Sequence, residues 1–178
     1  MVTQGVTQND IDVLALLYLL KEAYAKKLEG LGFPVSSVSR SLRKLSKMNI
    51  VDEPTLDYDG RRLKKVYCTP HPSKVFNQIE KFYENKSKEA FKEFIEKILQ
   101  ILEMMYVAKD FKAIKNLTTT KFNMTAFNPS FILYLSLKGY VTVDHADLSF
   151  KPTSKLVKIL KDIASKRTEF YKEISEMM

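Results

Sequence analysis

Ile11, Leu14, Leu17 (or Tyr18) and Leu20 (or Lys21) recur at helical spacing, with Asn9 or Asp10 in capping position, so the pattern predicts a first helix ending near Glu22. Asp10 and Asp12 suit the positive end of that helix. A second, short helix is expected over about 24–29, stopped by Gly30-Leu31-Gly32. A third is expected over 35–48, with Pro34 at or just before its first turn, where a missing N–H costs nothing. Advancing about 100° per residue around this third helix puts Val38, Leu42 and Leu45 on one face. Ser36, Arg40, Arg43 and Lys47 fall opposite them, with Ser37, Ser39 and Lys44 flanking that stripe. One side is therefore built to pack, and the other presents small hydroxyls and cations.

Beyond this helix, Asn49 stands where a left-handed residue is often needed. Ile50-Val51 and Val66-Tyr67 then read as two strands joined through Asp59-Gly60. From Ser73, an expected N-cap, a stripe of Val75, Ile79, Phe82, Phe91, Ile95, Ile98, Leu102 and Met105 indicates either one long helix or two helices broken near 85–87. If continuous it would span about 50 Å. A stripe of that length needs another helix to cover it, from the second half or from a second chain, and a homodimer is expected.

The second half looks like a degraded copy of the first. A shift of ninety residues sets Ile132 on Leu42, Leu135 on Leu45, Gly139 on Asn49 and Val141 on Val51. The second pair of strands would be 139–143 and 148–150, with Asn128-Pro129 capping a shorter helix. The same shift replaces Ser36, Arg40, Arg43, Lys44 and Lys47 by Ala126, Ser130, Leu133, Tyr134 and Leu137. The counterpart face, with Phe127 and Phe131 beside it, is apolar. It fits a protein interface or ordinary core equally well.

Charge narrows the partners. The chain of 178 residues carries 29 basic against 21 acidic residues, a net +8, which favours a polyanion, nucleic acid before membrane. Four of its five arginines, Arg40, Arg43, Arg61 and Arg62, fall within one stretch, and Arg binds phosphates and base edges bidentately. Cys68 is alone, and His71 and His145 read as turn residues, so neither a disulfide nor a zinc set is indicated. The serines of the third helix have no nearby His to activate them, no glycine-rich phosphate loop is present, and no cofactor is expected; an enzyme is disfavoured. The longest apolar run, Val13 to Leu20, is far short of a membrane span, and a soluble, cytoplasmic protein is expected.

Over about residues 9–80 the chain resembles the winged helix-turn-helix transcription regulators, broadly the MarR, ArsR and TrmB-like families. The resemblance rests on Leu31-Gly-Phe-Pro-Val-Ser-Ser-Val-Ser-Arg-Ser-Leu-Arg-Lys-Leu-Ser-Lys-Met-Asn-Ile-Val51 and Asp59-Gly-Arg-Arg-Leu-Lys-Lys-Val-Tyr67. Pro34 stands where those families commonly have a Ser or Thr cap, and Asn49 replaces the customary Gly. The resemblance implies a winged helix over 1–72; together with the long stripe and the ninety-residue echo, the expected fold is mainly α with small β-wings, with a connecting and dimerisation helix over 73–108 and a degenerate winged-helix-like interaction domain over 109–178. It further implies double-stranded DNA as partner, with Ser36, Ser37, Ser39, Arg40 and Arg43 at the major groove and Lys44 and Lys47 on the backbone. Arg61, Arg62 and Lys64 would belong to the wing. The alternative expectation is a tandem winged-helix protein-interaction module of chromosome segregation, replication or basal transcription machinery, with a protein partner held by the second half.

Overall fold

The computed structural model describes residues 5–23, 25–59, 62–68 and 71–178, with backbone alone at positions 26, 35, 57–59 and 62–64. The protein is mainly helical, with two small three-stranded antiparallel sheets. Two compact units form: one from the chain up to Glu84 together with Asn128–Tyr134, the other from Asn85–Phe127 and Leu135–Met178.

The first unit runs α1 (Gln8–Leu20), β1 (Glu22–Ala23), α2 (Ala25–Glu29), α3 (Val35–Lys47), β2 (Thr55–Asp59), β3 (Arg62–Cys68) and α4 (Pro72–Tyr83). The cap of α1 is Thr7 rather than Asn9 or Asp10. Its hydroxyl accepts from Asp10 N, and the Asp10 carboxylate accepts from Thr7 N, closing a capping box. Instead of showing one apolar stripe, α1 is buried nearly all round, from Ile11 to Leu17, because α3 and α4 both pack on it.

In the sheet β3 is central, flanked by β1 and β2, with Glu22 opposite Cys68 and Thr55 opposite Val66. The first hairpin strand is thus 55–59, not the expected Ile50-Val51. Those two residues are buried, and their N–H groups donate to Leu45 O, so they close the end of α3 instead of pairing in a sheet. The helical stripe after Ser73 takes the second of its two expected forms, a pair of helices, so no single helix runs over 73–108. α4 ends at Tyr83, and α5 (Ser87–Val107) begins after the polar turn 84–86. The cap of α4 is His71, whose ring nitrogen accepts from Ser73 N.

The second unit contains α5, α6 (Phe111–Lys115), β4 (Phe122–Asn123), the latter part of α7 (Pro129–Leu137), β5 (Val141–Asp144), β6 (Ser149–Pro152), α8 (Ser154–Ser165) and α9 (Glu169–Met177). Phe94, Phe122, Phe127 and Phe150 form its aromatic core at centroid separations of 5.2–6.0 Å. Arg167 ties down α5 through two bonds to Glu96, of 2.9 and 2.5 Å.

Both halves share one plan. Each has a short strand, a short helical turn, a longer helix and a hairpin, and in each sheet the last strand is central: β1-β3-β2 and β4-β6-β5. The ninety-residue shift reaches the backbone. Asn49 N donates to Ser46 O and Ile50 N to Leu45 O; Gly139 N donates to Ser136 O and Tyr140 N to Leu135 O. The residues that turn the chain have positive φ, 57° at Asn49 and 81° at Gly139.

Among the described residues no helix is long and apolar enough to cross a membrane.

Candidate nucleic-acid interface

Helix α3 separates as its spacing requires. Val38, Leu42 and Leu45 are fully buried, whereas Ser36, Arg40, Arg43 and Lys47 are exposed. Ser37 and Ser39 are half-buried on the flank. Arg40 Nε and Arg43 Nε each reach back one turn, to Ser36 O and Ser39 O, at a long 3.4 Å. Among the described residues neither guanidinium pairs with a carboxylate. Their planar forks therefore remain available to an anionic ligand. Arg43 also lies close enough to Tyr67 to act on its phenol: burial raises the Tyr67 pKa, and the Arg43 charge offsets part of that rise.

Lys44 departs from this outward stripe. Its ammonium turns inward to Asp10 Oδ2 at 2.7 Å and to Gly5 O at 2.8 Å. Ser41 Oγ donates to Asp10 Oδ1 at 2.6 Å, and Asn9 Nδ2 donates to Ser41 Oγ at 2.9 Å. Burial pushes the Asp10 carboxyl up, but Lys44, Ser41 and Thr7 together outweigh it and hold the pKa below its ordinary value. Lys44 is thus committed to holding α3 against the start of α1. Sequence reasoning missed this cluster; its only local signal was Thr7-x-x-Asp10, a capping-box spacing.

Of the expected wing residues, Arg61 lies outside the described residues, as do the side chains of Arg62 and Lys64. The backbone register sets Arg62 opposite Asp59 and Lys64 opposite Asp57 in the hairpin. Lys65, opposite Leu56, is exposed, and so is Leu56.

The counterpart of the cationic face in the second copy is mostly core. Phe127, Phe131 and Leu133 are buried and Ser130 is fully buried, whereas Ala126 is exposed and the larger Leu137 is 42% exposed. Ser130, at the position matching Arg40, is an anchor inside the first unit. Its N–H and Oγ both donate to Asp12 Oδ1, and Tyr83 OH meets Ser130 Oγ at 2.6 Å. Gln8 Nε2 adds bonds to Asp12 Oδ2 at 3.2 Å and to the Tyr83 hydroxyl at 3.0 Å. Burial dominates at Asp12 and raises its pKa despite the three donors; it also pushes the Tyr83 phenol up to about 12. Because Ser130 gives its proton to Asp12, the Tyr83 hydroxyl must donate to Ser130.

α1 therefore carries two buried carboxylates with different partners. Asp10 holds α3 of the first copy, and Asp12 holds the start of α7 of the second. Comparison with protein-family models, with curated proteins and with solved structures finds no match to this chain.

Proposed function

We propose that the protein is a transcription regulator that binds duplex DNA through a winged helix-turn-helix, with α3 entering the major groove and the β2–β3 hairpin serving as its wing. The observation that carries this reading is the one-sided surface of α3. Exposed Arg40, Arg43 and Lys47 stand with exposed Ser36 opposite a fully buried apolar face. Arg40 and Arg43 contact base edges or the adjacent phosphates, Lys47 holds the backbone, and the small serines let the helix approach closely. Lys44 is assigned a holding role, on the strength of its bonds to Asp10 and Gly5. As a homodimer the protein would set its two reading helices about 34 Å apart on successive major-groove faces.

The test is Arg40→Ala combined with Arg43→Ala. Duplex affinity is expected to fall, and the plot of log affinity against log salt to flatten by about one unit for each phosphate no longer neutralised, with the thermal melt unchanged. Unaltered affinity across the salt series would overturn the reading.

A second reading, a protein-interaction module, draws support from α5. Met104 and Val107 are 64% and 75% exposed beside a groove of about 740 Å³ that also includes Ile101 and Phe170. Equal binding to random and selected duplexes would favour it, whereas a preference of ~10³ or more favours the regulator.

A further inference from the structure

Charge is not distributed as the arginines suggest. Residues 1–84 hold 13 basic against 10 acidic residues, and residues 85–108 hold four of each. Residues 109–178 hold 12 against seven, so +5 of the net +8 belongs to the half whose α3 counterpart has no such cations. Eleven of those 12 are lysines, and the single arginine, Arg167, is bound to Glu96. No acidic residue occurs between Asp147 and Asp162, a stretch that contains Lys151, Lys155, Lys158 and Lys161.

The fold brings the backbone of part of this stretch beside Tyr140, whose carbonyl accepts from Thr153 N. Lys155 Nζ donates to Lys138 O at 2.9 Å and lies 4.3 Å above the Tyr140 ring. Thr153 Oγ1 donates to Gly139 O and Tyr140 O at 2.7 and 3.0 Å, fixing the start of α8 against the end of α7. Lys151 pairs with Thr142 across the hairpin, on the sheet face opposite Phe150 and Pro152, which are buried. Lys158 follows Lys155 by one turn on the exposed side of α8, away from buried Leu156 and Leu160. Among the described residues none of Lys151, Lys155 and Lys158 pairs with a carboxylate.

We propose that Lys155 above Tyr140, with Lys151 on the outer face of β6 and Lys158 one turn further along α8, makes a second nucleic-acid contact that grips the phosphate backbone of duplex DNA without reading its sequence. Charge complementarity selects the occupant. Ammonium groups are point charges suited to single phosphate oxygens, whereas the bidentate forks that read guanine belong to the arginines of the first half. The inference rests on the DNA-binding reading above and divides the labour within it: specificity from α3, salt-dependent affinity from α8.

The experiment compares three full-length variants on one 30-base-pair duplex over a salt series: Lys151→Gln/Lys155→Gln/Lys158→Gln, the single Lys158→Gln, and Arg40→Ala/Arg43→Ala. The triple lysine variant is expected to flatten the salt slope by about two to three units and Lys158→Gln by about one, with sequence preference intact. Because Lys158 makes no ion pair among the described residues, its variant keeps the test valid if removing the Lys155 ammonium from the Tyr140 ring disturbs folding. Unchanged slopes in both lysine variants overturn this inference and leave the α3 reading standing. Flattened slopes together with an unaffected arginine variant support the lysine contact but overturn the α3 reading and the division of labour with it. A wild-type protein that binds polyglutamate but no duplex overturns both.

Discussion

At the scale of single residues, neighbours along α3 have opposite tasks. Arg40 and Arg43 face outward, so replacing either with alanine should move stability by no more than about 0.5 kcal/mol in urea unfolding. Asp10→Ala should cost about 1–3 kcal/mol, because it removes the capping box, leaves Ser41 without its acceptor and leaves Lys44 with Gly5 O in place of its carboxylate. The two buried carboxylates of α1 should also respond oppositely to pH. Asp10 titrates below its ordinary value of 3.8 in the fold, so its stabilisation is present above 3.8 and lost as pH falls through the lower folded value. Asp12 titrates above 3.8, so its contribution is complete below 3.8 and lost as pH rises through the higher folded value. Urea midpoints of wild type and Asp10→Asn, measured from neutral pH down to about pH 2, should converge at the acid end.

At the scale of elements, the turn that ends α3 and the matching turn after α7 offer a paired test. Asn49 and Gly139 occupy the same position of one cap with positive φ. A side chain at Gly139 would meet nothing within 4 Å, so the cost of Gly139→Ala is backbone strain alone, about 1–2 kcal/mol, and Gly139→Asn should cost less. Thermal melts of the two variants decide the order. This cap was legible in the sequence, as was the two-faced α3, because both depend on residues a few positions apart. The hairpin strand was not. Thr55-Leu-Asp-Tyr-Asp59 contains two residues disfavoured in strands and pairs because the register holds it to β3, while the more strand-like Ile50-Val51 is apolar because it is buried at the cap. The commitment of Lys44 was hidden for another reason: on the helix alone it belongs to the cationic flank, and its partner is 34 residues away in α1.

At the scale of the whole molecule, the first unit is not contiguous in sequence. Asn128–Tyr134 belongs to it, and Ser130 supplies two donors to a carboxylate 118 residues earlier. Ser130→Ala should destabilise the protein by about 1–3 kcal/mol, since Asp12 would lose the hydroxyl donor and Tyr83 its acceptor, as read by urea unfolding. A fragment ending at Glu84 should be less stable than the intact chain, with more ready amide exchange along α1. The ninety-residue repeat was visible in the sequence, but its consequence was not: the spacing located the second copy without indicating that its first turns complete the first unit.

That arrangement also sets a clock on biosynthesis. An emerging chain that has released residue 84 still lacks the seven residues that cover Asp12 and Tyr83, and about 50 more must be added before they arrive. At typical translation rates that is roughly 2–10 s in which the Asp12 carboxylate of α1 has Gln8 but not yet Ser130 as a donor. Closing so long a loop must also precede the contacts that reward it. The half-made protein therefore passes through an interval in which α1 to α4 have been synthesised but Ser130 has not, and the complete first unit forms only once the chain has passed residue 134.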